Sequence, residues 1–215
     1  MNTIIQPLEN ITGTAQNVAG MTSTSVNHTI GCAAAAYLAS SGVGHVTIVD
    51  FDTVDETNLA RQVLYARGHI GELKADVAAG RLRKINPDIE VTAVNERLTG
   101  AALARAVAAA DLVLDGSDNF ATRFEVNRVC VAEAKRLISG SAIRLEGQLA
   151  TFGPDYAQSA CYACVYAEQD ESLEDCAGNG VLAPIPGVIG TMMAVETLKS
   201  LAGIGAPGPT MRLYD

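Results

Sequence analysis

Within VTIVDFDTVDETNLARQVLYARGHIGELK, residues 46–74, five polar residues carry side chains suited to a nucleoside triphosphate: Asp50, Asn58, Arg61, Gln62 and Lys74. Arg offers phosphate oxygens a planar fork, and Lys offers them a compact point charge. Asp50 ends the apolar run Val46-Thr47-Ile48-Val49, where a carboxylate accepts the ribose hydroxyls in a Rossmann-type half. A second cluster, Asp115-Gly116-Ser117-Asp118-Asn119, follows the apolar run Leu112-Val113-Leu114. A carboxylate such as Asp118, placed just past a buried strand, can hold Mg²⁺ while waters and substrate phosphates complete the octahedron.

Each of these residues also has a plain structural use. Acids are common at strand ends, and Arg61-Gln62 would be a solvated surface pair on most helices. Lys74, beginning a helix after Gly71, reads by default as exposed, and Asp118 or Asn119 would serve as the N-cap of the helix that follows. It is the company they keep that points to phosphate chemistry.

A third cluster is Cys161-Tyr162-Ala163-Cys164. A C-x-x-C in a reducing compartment suggests either half of a structural zinc site or a redox pair. Zinc takes four ligands, no second C-x-x-C follows, and His28, His45 and His69 all lie upstream. No complete tetrahedral site is visible, so metal analysis is expected to return well under one zinc per chain. Cys176, in a polar segment, can serve as a nucleophile or thiol carrier. Cys32 and Cys130 sit in apolar helices and read as packing residues.

The elements that position these groups alternate strand and helix. Residues 1–30 hold no Lys or Arg, are rich in Thr, Ser and Asn, and show no clear period, which predicts loop or weak strand. Gly31 opens an Ala-rich helix that stops around Gly42–Gly44. The strand ending at Asp50 follows, and a loop through Asn58 leads into a short helix around Leu59–Tyr65. Lys74–Ile85 reads as a helix stopped by Asn86-Pro87, Ile89–Val94 as a strand and Leu98–Ala110 as a helix. After the strand delivering Asp115 come a helix over Thr122–Ala134, a strand over Leu137–Ser141, a strand pair within Arg144–Phe152, and a last helix from about Val188 to Leu201. Strand-end acids in an alternating β and α chain predict an α/β, doubly wound, Rossmann-like and mostly parallel sheet with an antiparallel C-terminal part. No repeat or linker divides the chain, so residues 1–215 are expected to form a single nucleotide-binding domain, with 1–30 atypical and poorly ordered.

Composition narrows the function classes. The 215 residues are 48% hydrophobic and 18% charged, ordinary for a globular chain with a proper core. No apolar run is long enough to span a bilayer, and no basic residue with an apolar stretch marks a secretory signal. A net charge of −9 argues against nucleic-acid or membrane-surface partners. Five scattered cysteines make no disulfide framework, which points to a cytoplasmic location.

The stretches LASSGVGHVTIVDFDTVDETNLARQ, IGELKA, INP, DLVLDGSDNFATR, GSAIRLEGQ, CYAC and GVLAPIPGVIGTMMAVETLK, spread over residues 31–215, resemble the ubiquitin-activating-enzyme superfamily. The closest resemblance is to its bacterial branch, the molybdopterin-synthase and thiazole-biosynthesis sulfur-carrier adenylyltransferases. The resemblance implies ATP-dependent adenylylation of the C-terminal glycine of a ubiquitin-like sulfur-carrier protein with a diglycine end, by a homodimer. It implies Asp50 on the ribose, Asn58, Arg61 and Lys74 on the phosphates with Gln62 beside them, and Mg²⁺ on Asp118. Gly31 and Asn119 belong to the same nucleotide site. Cys161 and Cys164 match half of the family's zinc site, and Cys176 matches a cysteine that can bond to the carrier's thiocarboxylate.

Three departures stand beside this. In place of the family's G-x-G-x-x-G loop stand Thr22–Ser25 and Val26–Gly31, with Gly31 the one glycine kept. Side chains at Val26 and His28 are expected to obstruct the backbone's approach to phosphate, and the apolar first strand reads as missing. No Arg precedes Arg61, so the N-terminal arginine is absent, and the chain stops before a second C-x-x-C. These departures keep an alternative open: a catalytically impaired member that docks a carrier or pairs with a related subunit. An NAD-dependent oxidoreductase, suggested by Asp50, fails on the missing glycines and on Arg61, Lys74 and Asp118.

Overall fold

Four apolar strand runs and the helices between them set the frame. The computed structural model describes residues 17–21, 28–166, 180–204 and 209–215. In chain order the strands are β1 (Asn17–Met21), β2 (His45–Val49), β3 (Glu90–Val94), β4 (Leu112–Asp115), β5 (Arg136–Ile143), β6 (Glu146–Phe152) and β7 (Thr210–Tyr214). The helices are α1 (His28–Ser40), α2 (Lys74–Ile85), α3 (Gly100–Ala109), α4 (Phe120–Ala132), the single turn α5 (Tyr162–Val165) and α6 (Pro184–Leu201). One seven-stranded sheet runs in the order β3-β2-β1-β4-β5-β6-β7. β3 to β5 are mutually parallel, and β6 and β7 are antiparallel additions.

This corrects one expectation. The first strand is present: β1 lies at the centre of the parallel half, with Asn17–Met21 in register with His45–Val49 on one side and Val18–Met21 with Leu112–Asp115 on the other. Its sequence, Asn-Val-Ala-Gly-Met, mixes residues of weak strand preference, so local pattern does not announce it. Two neighbours satisfying both of its hydrogen-bonding edges outweigh that weakness. Residues 22–27, where the phosphate loop was sought, lie outside the described residues. α1 begins at His28, three residues before Gly31.

Side chains alternate across the sheet as period-2 geometry requires. Leu112 and Leu114 join Ile30, Leu38, Val46, Leu82, Ile138, Ile189 and Met193 in the core on the side of α1, α2 and α6. Val113 turns the other way, toward Leu103, Val107, Phe124, Cys130, Leu137 and Tyr162 beneath α3 and α4. Among the described residues no helix is long and apolar enough to cross a membrane.

Helix ends are set locally. Gly42, at φ 80°, closes α1 with paired bonds from its own N–H to the Ala39 carbonyl (3.1 Å) and from the Val43 N–H to the Leu38 carbonyl (3.2 Å). That is a Schellman stop, and glycine reaches its left-handed conformation without strain. At the end of α2, the Asn86 amide donates to the Ala39 carbonyl at 2.9 Å and ties the two helix ends together. α1 and α6 pack closely at Gly190: a Cβ there would stand 2.2 Å from the Ile30 carbonyl oxygen.

Candidate nucleotide-binding site

The strand order reverses direction between β1 and β4, and the crevice beyond the C-terminal ends of these strands is where open α/β sheets bind ligands. A cleft of about 580 Å³, counting its open mouth, lies there, lined by Gly31 and Cys32 of α1, Asp50 after β2, Tyr65 and Gly116. Its deeper wall is apolar, including Leu38, Val46, Leu114 and Met193. Gly31 and Asp50, singled out from sequence, therefore meet in one cavity.

Asp50 is buried, and one of its carboxylate oxygens accepts the Asp52 N–H at 2.9 Å. The segment expected to be a short helix over Leu59–Tyr65 is instead a 3₁₀ turn at Glu56–Asn58 followed by turns. A capping box makes that turn: the Asp55 carboxylate accepts from the Thr57 hydroxyl (2.6 Å) and N–H (2.8 Å), and Asn58 Oδ1 accepts the Asp55 N–H (3.3 Å). Those Thr57 bonds hold the Asp55 carboxyl below its ordinary value. Asn58 then accepts the Arg61 and Gln62 backbone N–H groups at 3.1 and 2.9 Å, which places Asn58, Arg61 and Gln62 on one turn.

Lys74 overturns the default expectation of an exposed lysine. Its side chain is 1% exposed, with its ammonium 3.6 Å from Asp52 Oδ2. Tyr65 donates its hydroxyl to the Lys74 carbonyl at 3.3 Å, and burial pushes the Tyr65 phenol well above its ordinary value. Gln62 is wholly buried, and neither its amide nitrogen nor its oxygen has a hydrogen-bond partner among the described residues. A buried amide left unpaired is costly, so its retention points to a ligand.

On the β4 side, the choice between Asp118 and Asn119 as N-cap is resolved. Asn119 caps α4, its side-chain oxygen accepting the Thr122 N–H at 2.8 Å, and Asp118 is not consumed by that role. Asp118 is nevertheless buried, beside the Asn119 amide at 3.4 Å. Arg123, which sequence reasoning passed over, is also buried: its Nε donates to the Ser117 carbonyl at 2.9 Å, its Nη2 donates to the same oxygen, and its Nη2 reaches the Gly140 carbonyl at 3.4 Å. It clamps the Gly116–Asn119 loop between α4 and β5. Its signal was present in Asp118-Asn119-Phe120-Ala121-Thr122-Arg123, one helical turn past the cap.

Cys161 and Cys164 lie apart from the cleft lining, Cys161 as the N-cap of α5 and Cys164 within it, where α5 packs against α4. Their sulfurs are 3.6 Å apart, close to the roughly 3.8 Å edge of a tetrahedron with zinc–sulfur bonds of about 2.3 Å. Burial works to raise the Cys161 thiol, but hydrogen bonds from Asn127, Cys164 and the backbone N–H groups of Cys164 and Ala163 outweigh it and lower its pKa. The pair fits two ligands of a metal. Among the described residues no third His, Cys, Asp or Glu joins them. Cys176 lies outside the described residues. Cys32 and Cys130 are buried as expected, and burial pushes each thiol up to about 12.

Comparison with known proteins places this geometry. The profile of the ThiF family matches residues 28–215. Over 186 residues the chain is 45% identical to the sulfur carrier protein ThiS adenylyltransferase of Escherichia coli (strain K12), covering 86% of this chain and 74% of that protein. It is 46% identical over 187 residues to the molybdopterin-synthase adenylyltransferase of the same organism, covering 86% and 75%. Among solved structures, E. coli MccB in complex with ATP superposes with a TM-score of 0.76 at 22% identity over 93% of this chain. The chain spans only 59% of that longer protein, and the likeness speaks for the shared fold. Between matched profile and close relatives, the chain belongs to the ThiF family.

Proposed function

We propose that the chain is an adenylyltransferase that uses ATP to activate the C-terminal glycine of a ubiquitin-like sulfur-carrier protein ending in diglycine, serving molybdopterin or thiazole sulfur transfer. The carrier's terminal carboxylate attacks the α-phosphate, an acyl adenylate forms and pyrophosphate leaves. Two anions must meet, and negative charge builds on phosphate oxygens as they do. Preorganised cations in a site shielded from water stabilise that charge without reorganising.

In this reading Asp50 accepts the ribose hydroxyls, and Asn58, Arg61 and Lys74 contact the phosphates. The Gln62 amide pairs with the same nucleotide, while Gly31 and Asn119 border it. Asp118 would hold Mg²⁺, whose charge further neutralises the phosphates when it is bound. Cys161 and Cys164 would supply two thiolates to a zinc ion, and Cys176 would meet the activated carrier at a later step. Residues 1–215 form one domain, and the chain works as a homodimer in the cytoplasm.

The observation that carries this reading is the wholly buried Gln62 amide, without a hydrogen-bond partner among the described residues, on the same turn as Asn58 and Arg61. The competing reading, a non-catalytic docking subunit, leans on the lost Gly-rich loop, whose residues 22–27 lie outside the described residues; the missing first strand that stood beside it is present as β1 at the sheet centre. Carrier-dependent ATP–pyrophosphate exchange tests the proposal, with Asp118→Ala as control. Exchange requiring both carrier and Asp118 supports it; a folded chain with no exchange leaves the docking subunit.

A further inference from the structure

We propose that Asp52 is the positioning residue for Lys74, holding the lysine ammonium at the phosphate end of the nucleotide site. The inference rests on the adenylyltransferase reading for what Lys74 does, and on geometry alone for how it is held.

Lys74 occupies an awkward place. It is the first residue of α2, where the helix dipole is positive and a cation is disfavoured. It is also almost fully enclosed, and a buried ammonium requires a nearby countercharge. Asp52 supplies one at 3.6 Å while keeping its own side chain 22% exposed. That separation exceeds a hydrogen bond. Asp52 therefore steers the ammonium by attraction rather than by taking one of its N–H donors.

Asp52 is itself fixed at three points. Its N–H donates to Asp50 Oδ1 at 2.9 Å, its carbonyl accepts the Lys74 N–H at 2.9 Å, and its carboxylate faces the ammonium. Next to it, Thr53 and Leu73 form an antiparallel bridge, and Val54 exchanges bonds with Glu72 and Gly71 at 2.9 Å each. This small ladder sets where the Lys74 side chain begins, and the Asp52 carboxylate sets where it ends. One residue thereby registers the ribose acid against the phosphate lysine.

The test is a double-mutant cycle on the full chain with Asp52→Asn, Lys74→Ala and both together, read as kcat and KM for ATP in carrier-dependent exchange. Asp52→Asn is expected to lower kcat at least tenfold with a smaller change in KM, and Asp52→Glu to recover part of the loss. In the Lys74→Ala background, Asp52→Asn should change kcat less than twofold, because a residue acting through Lys74 has nothing left to act on. Equal losses in both backgrounds overturn the proposal. A second measurement needs no activity: acetic anhydride labelling mapped by mass spectrometry, with Lys84, Lys135 and Lys199 as internal references. Asp52→Asn should label at Lys74 at least fivefold faster than the unaltered chain, and an unchanged rate overturns the proposal. An unaltered chain silent in exchange sinks the adenylyltransferase reading, and the labelling then decides by itself whether Asp52 holds Lys74.

Discussion

Replacing Gln62 by Leu should make the protein more stable and less able to bind ATP. The Gln62 side chain is fully buried with both amide atoms unpaired among the described residues. Burying such a group unpaired costs about 1–3 kcal/mol, and an apolar side chain of similar size removes that cost. For a domain of this size each kcal/mol moves the midpoint by about 2–4 °C, so thermal unfolding of the nucleotide-free chain should rise by about 2–12 °C. Binding should move in the opposite direction. A hydrogen bond to a charged phosphate contributes about 1.5–3 kcal/mol, and losing it weakens ATP by about 10- to 150-fold. Circular dichroism gives the first quantity, and calorimetric titration with Mg²⁺ and ATP gives the second. A Gln62→Leu chain that melts lower, or that binds ATP unchanged, would refute the reasoning, because either result means the amide is not held in reserve for a ligand.

Gly190→Ala should force α1 and α6 apart, since its Cβ would lie 2.2 Å from the Ile30 carbonyl oxygen and 2.9 Å from Ala33 Cβ. Overpacking of this kind costs about 1–3 kcal/mol, and because Ile30 adjoins Gly31 in the cleft wall, weaker ATP binding should accompany the lower melting midpoint. Calorimetry that finds both unchanged would show that the helices do not approach so closely. The buried thiols set an alkaline limit. Cys32 and Cys130 rise from 9.0 unfolded to about 12 folded, so their contribution is complete below pH 9 and is lost as pH climbs toward 12. Each can remove up to ~1.4 kcal/mol per pH unit in that window, and Cys32→Ala with Cys130→Ala should flatten the slope of a pH series of urea melts.

Much of the frame was legible from periodicity. The Lys74–Ile85 helix falls on the predicted residues, because a good helical run meets Asn86-Pro87 and stops there. β4 follows from three apolar residues and a strand-end acid, and β3 from simple alternation. β1 escaped, as did β7 at Thr210–Tyr214: each is a short strand whose pairing partners are distant in sequence. The segment carrying Arg61 and Gln62 was read as a short helix after a loop through Asn58, because the side-chain bonds of the Asp55–Asn58 capping box leave little trace in hydrophobic pattern.

The candidate site divides along the same line. Residue types and spacing by themselves singled out Asp50, Asn58, Arg61, Gln62, Lys74 and Asp118, since the chemistry of phosphate selects forks, point charges and carboxylates at strand ends. What those groups have around them was decided by tertiary structure. Lys74 is buried although it opens a helix, and Asp52 counts because it arrives beside that ammonium. Asn119 takes the cap and Arg123 grips the Ser117 carbonyl, arrangements that depend on where α4 meets β5. Burial and countercharge are properties of the space between elements, and no local window of sequence contains them.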